Sequence, residues 1–152
     1  SPMDAVVQLI AVTAENWREV ADVEAAPEDH RFVAPVTRYL CLCHYGGVWR
    51  PLAVVAGDEV VGFVMWAVDP EDRSGWIGGL VIDHRRRRRR YARSAVLALL
   101  ERLRREQGCP SAALSYAAAN TAARSLYRAL GFEETGEREG DELVARLPLA
   151  PA

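Results

Sequence analysis

The spacing of apolar residues switches repeatedly between a short, strand-like period and a helical period, and this pattern predicts the secondary structure. Short apolar runs bounded by turn residues predict strands over Gln8–Val12, Leu52–Ala56, Val60–Ala67, Trp76–Asp83, Ala112–Tyr116, Phe132–Arg138 and Leu143–Leu147. Helical spacing covers Ala14–Val23, Pro35–Tyr45, a long segment from Tyr91 to Glu106, and Thr121–Leu130. The order β-α-α-β-β-β-α-β-α-β-β is typical of a mixed α/β fold with a partly antiparallel sheet.

Residues that start and stop these elements support the assignment. Thr13 is predicted to cap the first helix, and Gly131 is expected to follow the last helix as a left-handed residue. Gly57-Asp58-Glu59 and Gly140-Asp141 are expected to connect hairpin strands.

The length and apolar content fit a single domain. The chain has 152 residues, half of them apolar, and we expect one domain over residues 3–152, with Ser1-Pro2 left over from expression. No apolar stretch approaches the roughly 18 residues of a membrane span, and no signal-peptide pattern is present, so no membrane partner is expected. Three irregularly spaced cysteines favour a reducing, cytoplasmic location.

Cys41, Cys43 and His44 are the only residues that suggest a metal. Residues two apart do not share a helix face and a fourth ligand is missing, so we predict no metal site.

The charge is distributed unevenly. The formal net charge is −2, every basic residue is Arg, and seven of the 19 arginines lie between Arg85 and Arg93. Without those seven, 12 Arg face 21 acids, which gives −9. The protein is therefore an acidic body with one basic, arginine-rich loop.

That loop lies between a predicted strand and a predicted helix. The unpaired N–H groups at a helix N-terminus attract anions, and phosphate is their usual ligand. Arg side chains in the same turn can add charge-assisted contacts to phosphate oxygens. The alternative interpretation is a solvated run of charges without a ligand.

At this point the chain resembles the GNAT superfamily of acetyl-CoA-dependent N-acetyltransferases. The stretch Arg87-Arg88-Arg89-Arg90-Tyr91-Ala92 matches the family's phosphate-binding motif Q/R-x-x-G-x-G/A, and residues 120–132 match N-x-x-A-x-x-L-Y-x-x-x-G-F. Glu15-Asn16-Trp17, Trp76-Ile77 and Glu134-Thr135-Gly136-Glu137 look similar to bacterial diamine/spermine-type members.

The resemblance implies acetyl-CoA as cosubstrate and a set of residues that bind it. Backbone groups of Leu80, Val81 and Ile82 would pair with the pantetheine arm as an added strand would. Asn120 would hydrogen-bond the same arm. The pyrophosphate would lie on the turn formed by Arg87, Arg88, Arg89, Arg90, Tyr91, Ala92 and Arg93.

Tyr127 is the catalytic candidate that the resemblance implies. Its phenol, with an ordinary pKa of about 10, would supply a proton to the departing CoA thiolate, whose thiol has a pKa of about 8.5. A core aromatic at helical spacing is the alternative.

The chain departs from the family at Arg90, where glycine is usual, and often also at Arg88. A left-handed conformation costs an L-residue roughly 1–2 kcal/mol, whereas a right-handed one would avoid that cost. Arg contacts to phosphate are worth about 1.5–3 kcal/mol each. We expect CoA to bind with Arg side chains replacing some backbone contacts.

The acceptor is expected to be a primary amine of a small molecule. The acids that polyamine-type relatives tend to carry are replaced by Gly78 and by alanines at 117–119. The candidates for acceptor binding are Glu28 and Asp29 in the first loop and Tyr116 at a strand end, and further acids that could serve as general base are Glu24, Glu133 and Glu134.

A second hypothesis is a GNAT-like module with weakened catalysis that binds CoA or another polyanion through Arg85–Arg93. One basic patch on a body of net −9 disfavours nucleic acid as that partner. Dimers are common among relatives, so a homodimer is compatible with the resemblance.

Overall fold

The strands of this protein join in one mixed sheet, which a computed structural model describes over residues 6–86 and 90–152. The strands are β1 Gln8–Ala11, β2 Arg50–Ala56, β3 Glu59–Val68, β4 Gly75–Ile82, β5 Ser111–Tyr116, β6 Glu133–Glu139 and β7 Glu142–Pro148. Their order is β1-β2-β3-β4-β5-β7-β6. The β4–β5 pair is parallel, and the β1–β2, β2–β3, β5–β7 and β6–β7 pairs are antiparallel. The predicted mixed α/β class is confirmed.

The helices follow the predicted order. They are α1 Trp17–Ala21, α2 Val36–Gly46, α3 Tyr91–Arg105 and α4 Thr121–Ala129, with an additional short 3₁₀ helix over Pro27–Asp29. Gly131 follows α4 at φ 100°, the left-handed residue that the sequence predicts. None of the helices that the described residues form has the length and apolar character needed to cross a bilayer.

The predicted cap of α1 is wrong. Asn16, not Thr13, occupies the N-cap position, and it makes no side-chain bond to the helix. Its Oδ1 instead accepts a 2.7 Å bond from the Thr13 N–H, and its Nδ2 donates to the Ala11 carbonyl at 2.9 Å. Thr13 and Asn16 therefore close a turn after β1, and the helix begins later than the apolar spacing suggested.

The chain divides into two compact units, of which the first comprises Ser1–Ala67 and Gly79–Leu99. Its core is built around Val20, Phe63 and Val81, with the ring of Tyr39 stacked on Phe63 at 5.9 Å. Gly79 interrupts β4 here with φ 60°. A Cβ at this position would lie 3.2–3.3 Å from Met65, Phe63 and Tyr39, so both the backbone angle and the space favour glycine.

The second unit comprises Val68–Gly78 and Leu100–Ala152. Its β5–β7 register runs from Ser111 opposite Pro148 to Tyr116 opposite Leu143, and β4 enters it with Gly75 opposite Ala112. Its buried side chains include Leu114 of β5, Tyr127 of α4 and Phe132, which directly precedes β6. The rings of Tyr127 and Phe132 are in contact.

Candidate functional site

The turn that follows β4 is anchored by a buried carboxylate. Both oxygens of Asp83 accept bonds from the Arg85 guanidinium, at 2.9 and 2.7 Å, and Oδ1 also accepts the Arg85 N–H at 3.0 Å. The hydrogen bonds from Arg85 hold the pKa of Asp83 below its ordinary value despite its burial. Arg86 forms a salt bridge with Glu59. The first two arginines of the loop are therefore paired with the protein's own acids.

Arg90 immediately precedes α3 and has a left-handed backbone, with φ 56°. Its carbonyl accepts the Ser94 N–H at 3.2 Å, so it opens the helical hydrogen-bond ladder. Tyr91, Ala92 and Arg93 form the first turn of α3, where unpaired N–H groups are expected. The right-handed alternative for Arg90 is thus excluded. Arg87, Arg88 and Arg89 lie outside the described residues.

The second half of β4, which precedes this turn, contains the residues expected to bind pantetheine. Val81 is buried, whereas Leu80 and Ile82 are half-buried. Val81 also contributes to the wall of a cavity in the same unit. A ligand in that cavity would therefore contact this strand.

The cavity has a volume of about 460 Å³ and is formed mainly by the segment from the end of α1 to the start of α2. Its lining combines polar groups of Asp22, Glu24 and His30 with aliphatic side chains. His30 Nε2 lies 3.0 Å from the Ala25 carbonyl and 3.9 Å from the Glu24 carboxylate. A cavity lined by both acids and aliphatic side chains suits an alkyl amine.

Glu28 and Asp29 are not among the residues that line this cavity; they lie on the 3₁₀ helix beside it in sequence. Both remain candidates for acceptor binding by sequence alone. Glu24, a further acid of this loop that the sequence offers, does line the cavity.

Tyr127 projects from α4 into the core of the second unit. Its ring lies parallel to that of Tyr116, at 6.1 Å and 7°, and meets Phe132 edge-on at 5.7 Å. Burial, with a smaller effect of Tyr116, raises the pKa of Tyr127 far above its ordinary range. Among the described residues, none forms a hydrogen bond with its hydroxyl.

A chain of polar contacts continues from the neighbouring ring. The Tyr116 hydroxyl donates to Glu134 Oε2 at 2.7 Å, and the Arg124 guanidinium donates to both Glu134 oxygens at 3.1 Å. These bonds, that from Tyr116 first, lower the pKa of Glu134. A carboxylate held in this way is a poor proton acceptor near neutral pH.

Asn120 stands at the N-terminus of α4. Its side-chain oxygen accepts the Ala123 N–H at 3.2 Å and so caps the helix. The side-chain NH₂ group is the part of Asn120 that would serve as a donor to a ligand.

The sequence of this chain matches a known protein family over most of its length. The model of the acetyltransferase (GNAT) family matches residues 13–132, well over half of the chain. The chain belongs to the GNAT family. It is therefore an acyltransferase of the N-acetyltransferase type, and the resemblance noted in its motifs is confirmed.

Individual known proteins resemble this chain in sequence or in fold. Spermine/spermidine N(1)-acetyltransferase of Bacillus subtilis is 25% identical over 153 residues, covering 92% of this chain and 97% of its own. A domain from Methanocaldococcus jannaschii shares the fold with a TM-score of 0.77, 16% identity and coverage of 96% and 100%. Spermidine N-acetyltransferase of Vibrio cholerae, solved with CoA and spermine, has a TM-score of 0.72, 18% identity and 92% coverage of each chain.

Several contacts of this GNAT domain escape sequence reasoning. The contact of Tyr116 with Glu134 depends on how β5, β7 and β6 are aligned, and the contact of Arg124 with Glu134 depends on where α4 lies beside them. The Asp83–Arg85 turn could have been predicted from the sequence, because an Asp side chain readily accepts the N–H of the residue two positions later. In the described part of the chain no three His, Cys, Asp or Glu side chains gather in a group that could hold a metal ion.

Proposed function

We propose that this GNAT protein transfers the acetyl group of acetyl-CoA to a primary amine of a small molecule, with Tyr127 as general acid. The observation that carries the proposal is the Tyr127 side chain, whose ring is fixed by two aromatic neighbours while its hydroxyl is unpaired among the described residues. Its place in the Asn120–Phe132 signature supports the same role.

The reaction needs a neutral amine and a stabilised leaving group. Deprotonating an alkyl ammonium of pKa about 10.4 at pH 7 costs roughly 4–5 kcal/mol. The amine nitrogen then attacks the thioester carbonyl, a C–N bond forms, and the C–S bond breaks. The electron pair of that bond leaves on sulfur, and Tyr127 donates its hydroxyl proton toward it.

The raised pKa of Tyr127 defines how this donation works. The phenol stays protonated throughout the neutral range, so it is always available as a donor. Because the thiol is a stronger acid than the phenol, complete proton transfer from the phenol to the thiolate is unfavourable. The proton that the amine releases on attack finally protonates the thiolate. Tyr127 therefore acts mainly through the hydrogen bond that it gives the developing thiolate.

The first unit supplies the features that suit the two substrates. The N-terminus of α3, with Arg90 before it, is the site that we assign to the CoA pyrophosphate. We assign the amine to the cavity beside Val81, where Asp22 and Glu24 attract a cation and aliphatic walls accept its carbon chain. Spermine and spermidine, for which the Bacillus relative is named, meet both requirements.

Replacing Tyr127 by Phe tests the proposal. An acetyl-CoA turnover screen across amine classes, followed by released thiol, first identifies the fastest acceptor. Tyr127→Phe should then lower kcat by about 100-fold, the lower end of general-acid effects, because only the hydroxyl is removed.

A matched control is Tyr45→Phe, which removes a phenol from a highly exposed side chain and should leave kcat unchanged. Retention of kcat within two-fold in Tyr127→Phe would show that Tyr127 is not the general acid. Release of thiol with none of the amines would reject the transferase activity itself.

A further inference from the structure

The parallel rings of Tyr116 and Tyr127 belong to a larger arrangement that also includes Glu134 and Arg124. We propose that Tyr116, fastened through Glu134 to Arg124, is a positioning residue that fixes the orientation of Tyr127. The effect on turnover rests on the proposed function of Tyr127, whereas the effect on its orientation does not.

Aromatic neighbours define the plane of the Tyr127 ring. Tyr116 is the last residue of β5, is buried, and lies parallel to Tyr127 at 6.1 Å. Phe132 meets the same ring edge-on at 5.7 Å. Parallel and edge-on contacts are the two favourable aromatic geometries, so together they restrict the ring to one orientation.

A directional hydrogen bond in turn fixes Tyr116. Its hydroxyl donates to Glu134 Oε2 at 2.7 Å. Burial and this bond raise the pKa of Tyr116 to about 12, and the same bond lowers the pKa of Glu134. Donor and acceptor therefore keep their roles across the neutral range, and Glu134 serves as an anchor rather than as a proton acceptor.

Arg124 completes the arrangement from the helix that carries Tyr127. Its Nε and Nη2 bind the two Glu134 oxygens at 3.1 Å each, and its Nη1 donates to the Ala118 carbonyl at 3.1 Å. Arg124 and Tyr127 lie three residues apart on α4, so they neighbour one another along the helix. The side chains thus connect β5, α4 and the start of β6, and a rotation of α4 would break the ion pair.

Orientation matters for a donor whose target is a single sulfur atom. A hydrogen bond weakens steeply as its angle closes, and small misplacements in an active site are costly. Loss of Tyr116 should therefore lower kcat while leaving the KM for acetyl-CoA nearly unchanged. A residue with a purely structural role would lower stability without acting through the Tyr127 hydroxyl.

A double-mutant cycle on kcat tests the kinetic consequence. With the fastest acceptor of the screen, Tyr116→Leu should lower kcat about 10-fold or more, and Tyr116→Phe, which keeps the stacked ring, should lower it less. In the Tyr127→Phe background Tyr116→Leu should add less than about two-fold, because the group that it positions is gone.

Ser115→Ala is the matched control. Ser115 precedes Tyr116 on β5, and its hydroxyl also donates to a glutamate, Glu142, at 2.8 Å. The Ser115→Ala substitution removes a hydrogen bond of the same kind and leaves the stacked rings intact, so kcat should not change. An equal fold-loss from Tyr116→Leu in both backgrounds would overturn the positioning role.

Orientation is measured directly by ¹⁹F NMR of 3-fluorotyrosine introduced at position 127. The parent and Ser115→Ala should give the same narrow resonance, and Tyr116→Leu and Glu134→Gln should shift and broaden it. An unmoved resonance in Tyr116→Leu refutes the proposal whatever the kinetics. If Tyr127→Phe keeps full activity, the general-acid role fails, and the spectrum of Glu134→Gln, in which both rings are still present, decides whether Tyr116 orients the ring.

Discussion

Arg90 holds a left-handed backbone, a conformation that glycine adopts far more readily than other residues. An L-residue in this conformation costs roughly 1–2 kcal/mol, and glycine would remove that cost. Glycine also adds about 0.5–1 kcal/mol of conformational entropy to the unfolded chain. The first effect is the larger of the two, so the local strain at Arg90 is measurable by substitution.

We expect Arg90→Gly to be more stable than Arg90→Ala by about 0.5–1 kcal/mol, because both remove the guanidinium and only alanine keeps the strain. Chemical denaturation of the two variants gives the difference. Equal stabilities would mean that the strain at this position is no larger than the entropy cost of glycine, about 0.5–1 kcal/mol. Titration with CoA then separates the two functions of this residue. A lower affinity of both variants would assign phosphate contacts to the Arg90 side chain.

Asn120 combines a structural and a proposed binding role within one side chain. Its oxygen caps α4, and its NH₂ group is the candidate donor to the pantetheine arm. Asn120→Asp keeps a capping oxygen but has no NH₂, so stability should be retained while the KM for acetyl-CoA rises. Asn120→Ala should also lose about 1 kcal/mol of stability. An unchanged KM in Asn120→Asp would reject the binding role.

At the scale of elements, the apolar periods predicted the helices and strands in the correct order. Boundaries shifted by one or two residues in most cases, and α1 was shortened at both ends. The exception at α1 has a local cause, since the Asn16 side chain bonds back toward β1 instead of capping the helix. Propensity thus fixed which elements exist, whereas competing side-chain bonds decided where α1 begins.

The kink in β4 at Gly79 is a second feature of this scale. Gly79→Ala should destabilise the protein by about 1–3 kcal/mol, because alanine meets an unfavourable φ and neighbours at 3.2–3.3 Å. Gly57→Ala is the matched control, with φ 60° but no atom within 4 Å of the added Cβ. Thermal unfolding of both variants should show the larger loss for Gly79. An equal loss of stability in the two variants would assign the whole destabilisation to the backbone angle.

At the scale of the whole molecule, ion pairs make stability depend on acid pH. The pKa of Asp83 is lowered, chiefly by the Arg85 hydrogen bonds, and that of Glu137 is lowered by Arg146. Their stabilisation is present above the ordinary carboxyl pKa of about 4 and is lost as pH falls through the lowered values. Tm should therefore stay level from neutral pH to about 5 and fall below about 4. In Asp83→Asn the decrease of Tm below about pH 4 should be smaller. An unchanged decrease of Tm in this variant would exclude Asp83 as a contributor.

Alkaline pH acts through buried neutral groups. Burial raises the pKa of Cys43 to about 11, and burial with the Glu134 bond raises that of Tyr116 to about 12. The folded state favours their neutral forms, so their contribution is complete below the ordinary values and is lost as pH rises through the raised ones. Tm should decline above about pH 9, and Tyr116→Phe should reduce the part of the decline between about 10 and 12. An identical decline in that variant would contradict the assignment to Tyr116.

The sequence by itself determined the element order, the GNAT motifs and the concentration of arginines before α3. These features depend on periods, caps and charges within a few residues of one another. The tertiary structure decided the left-handed Arg90, the cavity beside Val81 and the partners of Glu134. Tyr116 and Glu134 are 18 residues apart, and Ser115 and Glu142 are 27 apart. Strand register brings such pairs together, and no single local segment contains both members of a pair this far apart.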